Sequence, residues 1–169
     1  MIKPEIEGFR SNRSRGCCVS TRLSTLNLVK RDRHVSGPGV RSGRSFLDFV
    51  IDGLSLYDEI GRRSDLISTL WVSPLVPEEQ QKAVLRLLGL EQGDLPGDRV
   101  SLYVCPECGD VGCGAVTLKV EFAVEEVIWS DFGYENNYEE SIDRASYSSM
   151  GPFRFSRQAY EDLMSLCKP

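Results

Sequence analysis

The chain has 169 residues but only one histidine, His34. Ser-His, Cys-His and His-rich metal chemistry therefore lack the base or ligands they need. No apolar run approaches the eighteen or so residues of a membrane-spanning helix, which argues for a soluble protein. No apolar stretch precedes the Cys17-Cys18 pair, so a secretory leader is not indicated. No glycine-rich loop sits between a strand and a helix. Gly109, Gly112 and Gly114 crowd a hairpin, which offers a phosphate no helix N-terminus. NAD, flavin and nucleotide chemistry are disfavoured together.

Charge is present but unevenly spread. Residues 1–44 hold ten Lys or Arg against three acidic residues, a net of +7, whereas residues 45–169 hold ten against twenty-two, a net of −12. The basic stretch is rich in Ser, Gly and Arg, with little apolar periodicity beyond Leu23, Leu26, Leu28 and Val29. It reads as a disordered appendage to the folded domain. It lacks the interleaved aromatics that stack on bases, so nucleic-acid binding is expected only weakly, through this arm. Glu5 and Glu7 come too early for an organellar transit peptide.

Residues 45–169 read as a single acidic domain. Phe46–Asp52 alternates as a first strand, and Ser55 caps a short helix at 56–60. Residues 66–72 form a short extended or irregular connection, and Pro77 opens a helix over 78–88 that Gly89 closes. Val84, Leu85, Leu87 and Leu88 supply its core-facing stripe. Strands at 100–104, 115–122 and 126–131 follow in an antiparallel meander, with a further edge strand at 153–155. A last helix runs from Gln158 to Cys167, with Ser156 as its cap and Phe155 placed to staple onto it. The fold class this predicts is α+β: an antiparallel sheet with a cysteine-glycine β-hairpin and helices packed on one face.

The hairpin tip, Cys105 to Gly114, carries three thiols in C-x2-C-x4-C spacing. Cys105, Pro106, Glu107, Cys108 and Gly109 have the form of one zinc knuckle, in which Pro stiffens the turn and Gly permits positive φ. Zinc wants four ligands and the hairpin supplies three, Cys105, Cys108 and Cys113. Cys167 is the favoured fourth, with Cys17, Cys18, His34 and Asp110 as other candidates. Two readings compete with the metal site: reduced thiols packed in a glycine-rich turn, and a redox-active dithiol. Glu107 and Asp110 oppose the latter, since nearby negative charge raises a thiol pKa. This cysteine usage suits a reducing compartment, and a cytoplasmic location is expected.

A second unusual segment, Trp129 to Tyr138, alternates aromatics with carboxylates and carboxamides around Gly133. Trp129, Asp131, Tyr134, Glu135, Asn136 and Tyr138 form a candidate partner-binding surface, while Asp131 with Glu135 could in principle make an acid/base pair. The competing reading is a turn whose Asp and Asn satisfy their own backbone while the tyrosines cover the sheet.

The cysteine-glycine hairpin, the W-x-D-F-G-x-E-N pattern at 129–136 and the G-P-F-x-F pattern at 151–155 resemble a set of small uncharacterised bacterial proteins sharing this succession. The resemblance covers Phe46 to Leu166 and leaves out the basic segment. Members are sometimes labelled oxidoreductase, without a defined activity. We read the chain as a non-enzymatic acidic interaction module, stabilised by zinc at the hairpin and meeting a basic protein partner; toxin neutralisation by an immunity protein is one example. The alternative is a thiol-dependent redox protein acting through Cys105 and Cys108, with Cys113 resolving.

Overall fold

A computed structural model describes residues 22–33, 43–61, 65–71 and 77–167. Cys17, Cys18 and His34 lie outside these residues, as does most of the basic segment.

Leu26–Asp32 is a strand, β1, and it pairs antiparallel with β2, Ser45–Ile51, from Leu26↔Ile51 to Asp32↔Ser45. This corrects the reading of residues 1–44 as an appendage: its β1 stretch is part of the folded domain. Leu26 and Leu28 lie on one face and pack against the core. Two apolar residues sufficed because the partner strand supplies the rest of the burial. Asp52 and Gly53, both at positive φ, turn the chain into β3, Leu54–Ser55. The Ser55 hydroxyl then accepts from the Asp58 amide, capping a π-helical turn at Tyr57–Gly61.

A second sheet holds β4 (Ile67–Ser68), β5 (Val100–Val104), β6 (Ala115–Phe122), β7 (Glu126–Glu135) and β8 (Phe153–Ser156), hydrogen-bonded in that order and all antiparallel. The α+β class and the antiparallel pairing hold as read from the sequence, with the strands divided between two sheets. They are tied where the Leu47 amide donates to the Leu70 carbonyl and the Ser24 amide to the Arg154 carbonyl. Phe49 of β2 meets Tyr103 of β5 and Trp129 of β7 edge-on, so both sheets share one core.

Between β4 and β5 lies α1, Pro77–Leu87, which buries Ala83, Val84 and Leu87. Gly89, at φ 65°, closes it. The final helix, α2, covers Arg157–Ser165. Phe155, just before Ser156, stacks on Tyr160 with ring centroids 5.8 Å apart, the staple that the sequence placed there. The two helices touch each other, α1 packing on β5 and α2 on β7 and β8. Among the described residues no helix is long and apolar enough to cross a membrane.

The register between β6 and β7 breaks once. Lys119 faces Ser130 and Thr117 faces Gly133, so Asp131 and Phe132 together oppose Leu118. Asp131 takes φ 53° in this bulge, a left-handed conformation that Asp tolerates better than most residues.

Candidate metal centre

The tip between β5 and β6 is built by backbone. The Gly109 amide donates to the Cys105 carbonyl at 2.9 Å, and Gly109 at φ 70° reverses the chain. Asp110 caps a 3-10 turn at Val111–Cys113, its Oδ1 accepting from the Gly112 amide at 2.7 Å. Gly114, at φ 95° and ψ 141°, then delivers the chain into β6. These turns bring Cys105, Cys108 and Cys113 together, with all three sulfurs within 4.8 Å of one another. Cys108 and Cys113 are 3.5 Å apart. A tetrahedral ion with metal–sulfur bonds of about 2.3 Å needs sulfurs about 3.8 Å apart, close to the Cys108–Cys113 separation. The thiols are free, Cys105 half-buried and the other two exposed.

Electrostatics point the same way. Partial burial works to raise the Cys105 thiol, but the amides of Cys108 and Glu107, with the neighbouring thiols, outweigh it and hold Cys105 below the ordinary thiol range. An amide aimed at a sulfur, as the Asp110 N–H is at Cys108 Sγ at 3.4 Å, is what a zinc knuckle uses to steady a thiolate. Cys113 is pushed up to about 11, first by its hydrogen bond with Cys108 and then by the charge of the two other sulfurs. Three sulfurs this close cannot all ionise unaided, and a cation among them removes that penalty.

Aromatic rings wall the tip, and each meets a glycine. A Cβ on Gly109 would stand 3.0 Å from the Trp71 ring, one on Gly112 2.9 Å from Tyr138, and one on Gly114 1.8 Å from the Tyr134 hydroxyl. Tyr134 Oη also donates to the Cys113 carbonyl at 3.4 Å. All three glycines are required for close approach, and Gly109 and Gly114 for positive φ as well.

From the other side Arg33, its side chain 3% exposed, ion-pairs with Glu107 of the knuckle and with Asp65. Arg44 stacks on Trp71 at 4.6 Å and donates to the Glu107 carbonyl at 3.1 Å. Neither arginine was singled out from the sequence, because a charge count groups them with the basic arm. Their contacts span 74 and 63 residues, and no local pattern encodes them.

Cys167 does not join the cluster. It is buried at the end of α2, its thiol facing the Leu163 carbonyl at 3.8 Å, and burial pushes its pKa up. The expectation of a fourth ligand from Cys167 is therefore corrected: the helix spends that thiol on packing. Asp110 is likewise outside the sulfur group. Among the described residues no further Cys, His, Asp or Glu completes it.

The partner surface expected at 129–138 also divides. Trp129 is fully buried, edge-on to Phe49, Phe155 and Tyr160, with Nε1 donating to the Tyr160 hydroxyl at 3.1 Å. It is core, not surface. Glu135, 6% exposed, accepts from Arg99 Nε at 2.6 Å and from the Thr117 hydroxyl. Asp131 pairs with Arg99 and Arg144. Both carboxylates pair with the buried Arg99; Glu135 is itself buried, whereas Asp131 keeps part of its side chain exposed. Asn136 turns its Oδ1 onto the amides of Tyr138 and Glu139. Tyr134 lies on Gly114, leaving Tyr138, 80% exposed, as the one of the six that presents a large free surface.

A groove of about 300 Å³ runs from Cys108 and Gly109 past Trp71 to Gln80 and Ala83 of α1.

Comparison with protein-family models, curated proteins and solved structures finds no match.

Proposed function

We propose that this protein is a metal-stabilised interaction module, with one zinc ion held by Cys105, Cys108 and Cys113, and an acidic domain that binds a basic protein partner. The observation that carries the metal reading is the sulfur triangle, its members within 4.8 Å of one another and the Asp110 amide aimed at Cys108 Sγ. All three ligands are thiolates, a soft set that suits zinc. A tetrahedral ion takes its fourth ligand from water or from a group outside the described residues. Zinc here would tie β5 to β6 and, through Glu107 and Arg33, to β1.

The partner reading draws on the net charge of −12 over residues 45–169. Tyr138, Glu139 and Glu140 are exposed beside the cysteine loop, and a basic surface would meet charge and an aromatic ring there. Neutralisation of a basic toxin remains one instance of such binding.

Elemental analysis of the full chain, purified without chelator, tests the metal. About one zinc per chain is expected, lost in Cys105→Ser, Cys108→Ser and Cys113→Ser and retained in Cys167→Ser. Metal-free protein that takes up no added zinc would refute the site. Capture from a lysate at low salt tests the partner: recovery of basic proteins released by moderate salt is expected, and recovery of none counts against it. Rapid alkylation of Cys105 in the zinc-loaded protein would favour the thiol enzyme instead.

A further inference from the structure

The two exposed sulfurs, Cys108 and Cys113, face each other at 3.5 Å, with the Asp110 amide donating to Cys108 Sγ at 3.4 Å, while Cys105 is half-buried. We propose that Cys108 and Cys113 form an oxidative modification site, converted by a hydroperoxide to a disulfide that expels the metal. The metal-release half rests on the zinc reading above; the disulfide does not.

A disulfide needs its sulfurs about 2.05 Å apart. The approach required is therefore about 1.5 Å, through residues 109–112, which hold two glycines and a single 3-10 turn. Neither sulfur needs to be unburied first. Arg33 and Arg44 anchor Glu107, next to Cys108, so the motion falls on residues 109–113 and carries Cys113 toward Cys108. Tyr138 covers Gly112 but is itself 80% exposed, and it can yield as the loop tightens.

The chemistry balances with the peroxide as the only co-reactant. One sulfur attacks the peroxide, the O–O bond breaks, and a sulfenic acid results together with one water from hydrogen peroxide, or an alcohol from an organic hydroperoxide. The second thiol attacks that sulfur, the S–S bond forms, and the sulfenic oxygen leaves as water with the second thiol's proton. The two sulfurs lose two electrons and the peroxide gains them. When the sulfurs begin as metal-bound thiolates, solvent supplies the two protons and the ion departs as a dication. With two of three ligands consumed, Cys105 alone cannot retain it.

The test uses the full chain, first loaded with zinc and separately stripped of metal, each treated with hydrogen peroxide. Zinc release is followed with a chromogenic chelator, and the bridge is located by intact mass and peptide mapping. The expected result is a loss of two mass units, a Cys108–Cys113 cross-link in both preparations, and release of zinc in step with bridging, reversed by dithiothreitol. In Cys113→Ser, Cys108 should stop at a sulfenic acid trapped by dimedone, whereas Cys105→Ser should still form the bridge. A Cys105–Cys108 bridge, direct oxidation to sulfinic acid, or unchanged thiols in metal-free protein would each overturn the proposal. Protein that bridges but never loaded zinc would refute the metal reading and its release step, and leave the disulfide site standing.

Discussion

Replacing Gly114 by alanine separates two demands that the hairpin makes of one residue. At φ 95° and ψ 141° an L side chain is strained, at a cost of about 1–3 kcal/mol. The added Cβ would also stand 1.8 Å from the Tyr134 hydroxyl and 2.4 Å from its Cζ. Since a real contact needs well over 3 Å, either the ring or the chain must move by more than an ångström. Cys113 is the adjacent residue, and metal ligands tolerate errors of only about 0.2 Å. Gly53→Ala supplies the control, because Gly53 sits at φ 86° with nothing within 4 Å of its Cβ position. Gly53→Ala should lose about 1–3 kcal/mol in urea denaturation of metal-free protein, and Gly114→Ala at least as much. Only Gly114→Ala should also lose zinc affinity, by about 10–100-fold in chelator competition, as disturbed outer-shell partners commonly produce. In a Tyr134→Ala background the affinity loss from Gly114→Ala should shrink, because the obstructing ring is gone. Zinc affinity within twofold of the Gly53→Ala protein would refute the claim that Tyr134 packed on Gly114 sets the position of Cys113.

Three further outcomes are expected. Arg99→Ala should destabilise the protein by about 3–5 kcal/mol in denaturant titration, because it strands Glu135, 6% exposed, without its counter-charge. Asp131 is held below its ordinary pKa chiefly by the Arg144 hydrogen bond and, against partial burial, by the charge of Arg99. Its folded pKa is depressed, so its contribution is complete above the ordinary carboxylate range and lost as pH falls through the folded value; the stability gap between wild type and Asp131→Asn should therefore close below about pH 4, read as urea midpoints from pH 6 to pH 2.5. Trp129→Phe should lower stability by about 1–3 kcal/mol while leaving zinc content unchanged, since it removes the bond to Tyr160 and core volume but nothing at the cysteines.

Local order was legible where neighbouring residues carry the signal. The meander from Val100 to Asp131, the strand at Phe153, the Pro77 helix and the Phe155 staple are set by alternation, helix-boundary residues and contacts a few positions apart, and they stand in the structure. The three clustered sulfurs were legible too, because a C-x2-C-x4-C turn has few ways to point its thiols apart.

What only tertiary structure decided is everything that depends on which face of a strand meets which distant element. Alternation places Trp129, Asp131 and Glu135 on one strand; the bulge at Asp131 and the burial of Arg99 determine that Trp129 becomes core and the carboxylates become an arginine's partners. Composition assigned Leu26 to Arg33 to a disordered arm, yet β2 needed an edge partner and the knuckle's Glu107 a cation, and both came from that stretch. Cys167 had the chemistry of a ligand but lies against its own helix, away from the sulfur group. A short turn fixes its thiols through local backbone geometry; a pairing across 74 residues depends on the whole fold, and composition carries no record of it.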